Sequence, residues 1–233
     1  MKKIYLCSFG LKMTDITAGT LEILKKCELI FLQAFDVGLE EFLIKNKIKG
    51  KLIKIKHPSN GNFSAIASHI ISCSKKNQIS VLSYGYPTFI NGLYESLKKK
   101  SEGKITFEIV NSVGSLNPVI DLAGISDIPS EGLHIFNSLT PDFLKKIDYK
   151  KHLPCFIFNP HAFCRKTMSG QFLSFCENME KKGCSFYVLE AASAAGKGEI
   201  KKEVIFREEK DLNLLSDRTT LFIKRSDKKS GRI

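Results

Sequence analysis

Short apolar strands alternate with amphipathic helical stretches in the first half of the chain, and this order constrains the fold more than any other feature. The strands are apolar on both faces, which is typical of a parallel sheet covered by helices. We therefore predict an α/β fold whose first sheet is mostly parallel. Predicted strands lie at 4–7, 29–32, 79–82 and 106–110, and predicted helices at 17–27, 39–47, 64–76 and 93–100.

The second half changes character. After a short helix in SVGSLNPVIDLAGI, strand candidates at 133–136, 155–158, 186–190 and 219–223 surround one long helix at 165–182. This pattern predicts a second α/β domain with a mixed sheet. We expect an N-terminal domain at 1–112, a C-terminal domain at 113–226 and a disordered tail at 227–233, with a cofactor cleft between the two domains.

Composition narrows the class of protein. The formal net charge of +12 attracts polyanions, but no RNA-binding motif accompanies the lysines, so solvated surfaces are favoured over nucleic-acid binding. No apolar run approaches the roughly 18–20 residues of a membrane span, and no secretory signal is visible. We expect a cytoplasmic protein without a membrane contact. The seven cysteines form no CxxC pairs, so neither a disulfide framework nor a metal site is expected.

Three predicted strands end in loops of glycine and small polar residues, and these loops are the best candidates for a binding site. The segment SYGYPTFING, at 83–92, follows the strand at 79–82, and CSFGLK and NSVGS follow two others. Glycine lets a backbone turn sharply or approach a ligand closely. Ligands of open α/β sheets bind at the carboxyl ends of the strands, so the three loops together predict a site at one sheet edge.

The order of these segments resembles the tetrapyrrole (corrin/porphyrin) methylase superfamily, whose members are two-domain, S-adenosylmethionine-dependent methyltransferases. DITAGTLEILKKCELIFL resembles that family's first helix and second strand, ISVLSYGYPTFING its strand and GDP loop, and FEIVNSVGSLNPVIDLAGI its VPGVSS segment. The likeness is good over about 3–125 and looser over 150–224. It implies S-adenosylmethionine as cofactor and a homodimer.

The resemblance also implies a set of cofactor-binding residues. Small residues at Gly85, Gly114 and Ala192 are the most telling, since backbone contacts tolerate side-chain change elsewhere. By position, the implied cofactor contacts are Gly10, Leu11, Tyr84, Gly85, Tyr86, Phe89, Gly114, Ser115, Asn159 and Ala192.

Departures from the family pattern leave the methyl acceptor open. The first loop has one glycine, and the aspartate of the GDP loop is Tyr86 here. A single-glycine first loop and a YGxP loop are nearer to the borosin-type peptide N-methyltransferases of the superfamily. The acceptor is thus a tetrapyrrole-like small molecule or a peptide amide. An amide requires help with its proton, for which Tyr84, Tyr86 and His57 are the candidate catalytic residues.

Two alternatives belong to other functional classes. The DIT sequence after the first loop resembles the ribosomal RNA ribose methyltransferases of the same superfamily, although their acidic loop is missing at SYGYP. The altered first loop and the missing acid would also suit a non-catalytic protein that binds S-adenosylmethionine or a partner.

Overall fold

The computed structural model describes residues 2–33, 38–56, 58, 61–127, 132–139, 142–148, 150–191 and 199–226. The chain forms two compact units that divide between Ser115 and Leu116, whereas the sequence placed the division between residues 112 and 113. The predicted tail at 227–233 lies outside the described residues.

The first unit is built on a five-stranded sheet in which every neighbouring pair of strands is parallel, in the order β3-β2-β4-β1-β5. Helix α1 begins after Thr17, whose side-chain oxygen accepts a hydrogen bond from the Thr20 N–H, as a good N-cap residue does. The strands are β1 (Lys2–Ser8), β2 (Leu29–Leu32), β3 (Lys51–Lys54), β4 (Ile79–Ser83) and β5 (Ile105–Ile109), and the helices are α1 (Ala18–Lys26), α2 (Leu39–Lys45), α3 (Ser64–Cys73) and α4 (Gly92–Ser101).

Helices cover both faces of this sheet. On one face, Ile4, Leu6 and Val81 pack with residues of α3 and α4. On the other, Cys7 and Leu82 pack with residues of α1 and α2. Because side chains alternate between the faces of a strand, β1 and β4 contribute apolar residues to both faces, and all five residues of β4 are buried.

The second unit has a mixed five-stranded sheet in the order β6-β7-β10-β8-β9. Strands β6 and β7 are parallel, and the other neighbouring pairs are antiparallel. Phe172, Cys176 and Met179 of α7 belong to the core on one face, as their helical spacing predicted. The strands are β6 (His134–Asn137), β7 (Cys155–Phe158), β8 (Cys184–Glu190), β9 (Ile200–Val204) and β10 (Thr219–Arg225), and the helices are α5 (Leu116–Ala123), α6 (Phe143–Lys146) and α7 (Lys166–Lys181).

The predicted fold class is confirmed: one sheet is parallel, the other mixed, and each is packed with helices. Strands β3 and β9 and helix α6 were not predicted. Short 3₁₀ helices at Met13–Asp15, Pro160–Cys164 and Glu209–Leu214 were also missed. In the part of the chain that the structure describes, no helix is both long enough and apolar enough to cross a membrane.

Candidate functional site

The three predicted loops follow three adjacent strands. Strand β1 lies between β4 and β5 in the sheet, and all three run in the same direction. Their carboxyl ends therefore meet at one edge. The first loop begins at Phe9, the second at Tyr84 and the third at Val110.

The first and second loops are joined through their backbones. Gly10 and Gly85 form an isolated antiparallel bridge, in which the Gly85 N–H donates to the Gly10 carbonyl oxygen at 2.9 Å. Both glycines have positive φ, 81° and 66°, a region that glycine enters without steric cost. The rings of Phe9 and Tyr84 meet edge to face, with centroids 6.1 Å apart. Two loops that are distant in sequence thus form one surface.

The third loop lies against the second. A Cβ atom built on Gly114 would stand 3.1 Å from the Tyr86 Cβ and 3.7 Å from the Tyr86 nitrogen. The Tyr86 hydroxyl donates to Asn111 Oδ1 at 3.4 Å. A side chain at position 114 would have to displace Tyr86, so the small residue there is a packing requirement.

The joined loops leave open space beside unpaired donors. Gly85 is buried, yet a Cβ atom at this position would meet nothing within 4 Å. Among the described residues, the N–H groups of Tyr86 and Gly114 have no hydrogen-bond partner. Backbone N–H groups that have no partner in the protein and lie next to free space are available to donate hydrogen bonds to a polar ligand.

The side chains of Asp15 and Ser8 hold the first loop in place through hydrogen bonds. One Asp15 carboxylate oxygen accepts the N–H groups of Leu11 and Lys12 at 3.1 and 3.2 Å, and the Gly10 N–H donates to Ser8 Oγ at 2.8 Å. A Cβ atom on Gly10 would be only 2.3 Å from the Asp15 Cβ. The N–H groups of Gly10 and Leu11 therefore already donate hydrogen bonds within the protein. These residues can contact a ligand through their van der Waals surface, not through their N–H groups.

Gln33 and Asn91 fix the second loop through a reciprocal pair of amide hydrogen bonds. Gln33 Nε2 donates to Asn91 Oδ1 at 2.8 Å, and Asn91 Nδ2 donates to Gln33 Oε1 at 2.9 Å. Asn91 Nδ2 also donates to the Pro87 carbonyl oxygen at 2.7 Å. Its Oδ1 caps α4 by accepting the N–H groups of Leu93 and Tyr94. A single side chain thus fastens the loop both to the helix that follows it and to the residue after β2.

The remaining predicted residues fall into three groups. Phe89 is half-buried at the end of the second loop, where its N–H donates to the Tyr86 carbonyl oxygen at 3.1 Å, and Ser115 directly precedes α5. Asn159 belongs to the second unit; it follows β7 with φ of 59°, and its Nδ2 donates to Asn137 Oδ1 at 3.1 Å. His57 and Ala192 lie outside the described residues.

Two thiols of the first unit are buried, Cys7 within β1 and Cys27 at the end of α1, before β2. Burial raises the pKa of Cys7, in β1, well above its ordinary value. Burial likewise raises the pKa of Cys27 to about 11. Because the thiolate is the reactive form, both groups are neutral and inert near pH 7. In the second unit, burial lowers the pKa of His161, on the 3₁₀ helix after β7, so its neutral form is favoured.

Four residues that support the loops were missed at the level of sequence. Asn91 had a recognisable signal, since asparagine directly before a helix is a preferred N-cap. Asp15, Gln33 and Asn111 had no such signal, because each supports a loop through a contact that forms only in the folded chain.

No protein-family model matches the chain, and no curated protein sequence matches it significantly. Solved structures do match it over nearly its whole length. CbiF, a cobalamin biosynthetic enzyme described as cobalt precorrin-4 methyltransferase, is 14% identical with a TM-score of 0.68, covering 96% of this chain and 95% of that one. The methyltransferase CobJ is 14% identical with a TM-score of 0.66, covering 100% and 97%.

A third similar structure contains a bound nucleoside derivative. Uroporphyrin-III C-methyltransferase from Thermus thermophilus, complexed with S-adenosyl homocysteine, is 12% identical with a TM-score of 0.63, and the match covers 95% of this chain and 97% of that one. At these identities the likeness establishes the fold: this chain has the two-domain fold of the tetrapyrrole methylases, as the sequence resemblance predicted. The borosin-type likeness of the first two loops finds no support in these structures.

Proposed function

We propose that the protein is an S-adenosylmethionine-dependent methyltransferase. The observation that carries this proposal is the open space beside Gly85, next to the unpaired N–H groups of Tyr86 and Gly114. The proposal is supported by the fold, because solved proteins with this fold are named as methyltransferases and one of them holds S-adenosyl homocysteine.

The residues at the sheet edge fit such a cofactor. A sulfonium nucleoside with an amino-acid end needs close approach to the backbone and hydrogen-bond donors for its carboxylate, and the loops offer both at Gly85, Tyr86 and Gly114. When bound, S-adenosylmethionine supplies an electrophilic methyl group. We assign its binding to Gly10, Leu11, Tyr84, Gly85, Tyr86, Phe89, Gly114 and Ser115, with Asn159 and Ala192 as further contacts implied by the resemblance.

In methyl transfer, the main role of the protein is to position the acceptor relative to the methyl group. An acceptor atom must be held about 3–3.5 Å from the carbon it attacks, in line with the bond that breaks. The Gly10–Gly85 hydrogen bond and the Gln33–Asn91 pair keep the loops rigid. Tyr84 and Tyr86 are the described side chains to which we assign a role in handling an acceptor proton, since each lies in the second loop beside the open space.

For the acceptor we propose a tetrapyrrole-like small molecule. The similar structures are named for tetrapyrrole substrates, and their fold extends over this whole chain. Uroporphyrin-type tetrapyrroles carry several carboxylates, so the net charge of +12 would speed their encounter with the protein. An electron-rich carbon also needs less proton handling than a peptide amide does.

The test has two measurements. The first is binding of S-adenosyl homocysteine by isothermal titration calorimetry. The second is transfer of labelled methyl from S-adenosylmethionine to uroporphyrin-III-type tetrapyrroles in oxidised and reduced form. Binding with transfer supports the proposal, and an absence of binding contradicts it.

Binding without transfer to tetrapyrroles, to peptides or to RNA favours a non-catalytic protein that binds the cofactor. Transfer to ribosomal RNA, with affinity that falls steeply as salt rises, would favour the RNA methyltransferase instead.

A further inference from the structure

The second unit contains a recess of about 330 Å³ that the proposed cofactor site does not use. This volume lies in the range of small-molecule pockets. Among the described residues, nine line the recess: three of these nine are basic, six are apolar or glycine, and none of the nine is acidic. The lining residues are Ala123, Gly124, Ile125, Lys150, Leu153, Pro154, Phe222, Lys224 and Arg225.

One wall of the recess is the end of helix α5, and it is well ordered by hydrogen bonds. The Gly124 N–H donates to the Asp121 carbonyl oxygen at 2.9 Å, and the Ile125 N–H donates to the Ile120 carbonyl oxygen at 3.2 Å. Gly124 has φ of +74°, the left-handed conformation that commonly ends a helix. The Lys201 ammonium group donates to the Ala123 carbonyl oxygen at 3.3 Å. A cation therefore covers the negative end of the helix, which would otherwise repel an anion.

The opposite side of the recess is a sheet face that carries cations on an aromatic base. The Tyr187 and Phe222 rings pack with centroids 6.1 Å apart. The ammonium groups of Lys201 and Lys224 lie 5.9 and 5.8 Å from the centre of the Tyr187 ring. Positive charge is thus concentrated on the face where Phe222 forms part of the recess.

Lys150 and Arg225 add further positive charge to the lining of the recess. The Arg225 guanidinium donates to the Lys150 carbonyl oxygen at 3.3 Å, so its charge lies beside a residue of the lining. Strand register places one carboxylate, that of Glu203, opposite Tyr187 on the same face, but Glu203 does not line the recess. The lining itself combines basic side chains with the apolar surfaces of Leu153 and Phe222.

We propose that this recess binds a small organic anion with carboxylate or phosphate groups at one end and an apolar body at the other. Hydrogen bonds between ammonium or guanidinium groups and such anions are among the stronger ones in proteins, and Lys150, Lys224 and Arg225 supply them. The apolar lining buries the body of the ligand. All nine described lining residues belong to the second unit, and none of them is assigned to the cofactor, so this site does not depend on the proposed methyl transfer.

Phenyl phosphate and phthalate are suitable probes, because each joins a doubly charged anionic group or pair to an aromatic ring. Binding to the full chain is measured by NMR titration, with the amides of Gly124 and Phe222 as reporters and inorganic phosphate as the probe without an apolar part. Lys224→Gln removes a charge from the recess. Lys98→Gln is the matched control, since it removes the same charge from an exposed position on α4.

We expect saturable binding of at least one ring-bearing probe, with shifts at the two reporters. Lys224→Gln is expected to raise its Kd at least tenfold, Lys150→Gln to raise it severalfold, and Lys98→Gln to leave it within twofold. The proposal is overturned if neither probe saturates below about 10 mM, or if Lys98→Gln weakens binding as much as Lys224→Gln does. Inorganic phosphate binding as tightly as phenyl phosphate would contradict the apolar half of the site.

Discussion

The backbone N–H of Gly85 donates a 2.9 Å hydrogen bond to the carbonyl oxygen of Gly10. This contact joins the loop after β1 to the loop after β4, and a Cβ atom on Gly85 would enter open space. The same arrangement leaves the N–H of Tyr86 beside Gly114 of the third loop. The proposed function depends on these three loops acting as one surface.

Replacing Gly85 with valine is expected to abolish binding of S-adenosyl homocysteine, because the new side chain fills the space that the glycine leaves open. Gly103→Val is the matched control: Gly103 has φ of +74°, also has no neighbour within 4 Å of a built Cβ, and lies in the turn between α4 and β5. Both variants carry the backbone strain of a left-handed residue, about 1–2 kcal/mol. Calorimetric titration should show affinity only in the control. Retained micromolar affinity in Gly85→Val would count against the site.

Asn91 allows the cap of α4 to be separated from the support of the loop. Asn91→Asp keeps an acceptor for the N–H groups of Leu93 and Tyr94 but loses the donor to Gln33 and Pro87. We expect this variant to melt near the wild-type temperature and to bind S-adenosyl homocysteine at least tenfold more weakly. Asn91→Ala loses the cap as well, at about 1 kcal/mol. Equal cofactor affinity in Asn91→Asp and wild type would show that the amide pair does not position the loop.

Asp15 supports the first loop by accepting two backbone N–H groups, and Asp211 does the same for Arg207 and Glu208 in the second unit. Asp15→Ala is expected to cost about 1 kcal/mol of stability, as the loss of a cap does, and to weaken cofactor binding severalfold. Asp211→Ala should lower stability and leave cofactor affinity within twofold. Chemical denaturation and calorimetry on both variants measure the two effects. The same loss of cofactor affinity in both would indicate a general effect of destabilisation.

Tyr86 is predicted to act in transfer through its hydroxyl group, which now faces Asn111. Tyr86→Phe keeps the backbone and Cβ atoms that lie against Gly114, so S-adenosyl homocysteine affinity should remain within twofold. The rate of methyl transfer to a tetrapyrrole acceptor should fall about tenfold, less than the roughly 10²–10⁴-fold typical of general acid–base catalysis, because an electron-rich carbon needs less proton handling. Tyr94→Phe, in α4, where the ring packs against Phe107, is the control. An unchanged rate in Tyr86→Phe would show that the Tyr86 hydroxyl takes no part in the transfer and that the residue only packs.

Sequence reasoning placed strand bounds best where the strands are buried. β2 and β7 have the predicted bounds, since all but one of their residues are buried and apolar. β3 was missed because its terminal residues Lys51 and Lys54 are exposed at the sheet edge, where charged residues discourage pairing with other chains. β9 is also an edge strand with four exposed residues, so its sequence carries no apolar pattern.

Sequence reasoning located the candidate site through its glycines but not through its supports. A glycine after a buried strand is visible in one short segment, and Gly10, Gly85 and Gly114 all lie at the predicted sheet edge. The contacts that hold them are side-chain hydrogen bonds such as Gln33 to Asn91, between residues far apart in the chain. Nothing local encodes such a pair, because it exists only once β2 and β4 are neighbours.

Hydrogen exchange at two backbone amides tests the central claim most directly. The N–H groups of Tyr86 and Gly114 have no partner among the described residues, so without ligand they should exchange quickly. Saturating S-adenosyl homocysteine should slow both by at least tenfold and leave the turn amide of Gly103 unchanged. Binding of S-adenosyl homocysteine with no slowing at Tyr86 or Gly114 would contradict the account.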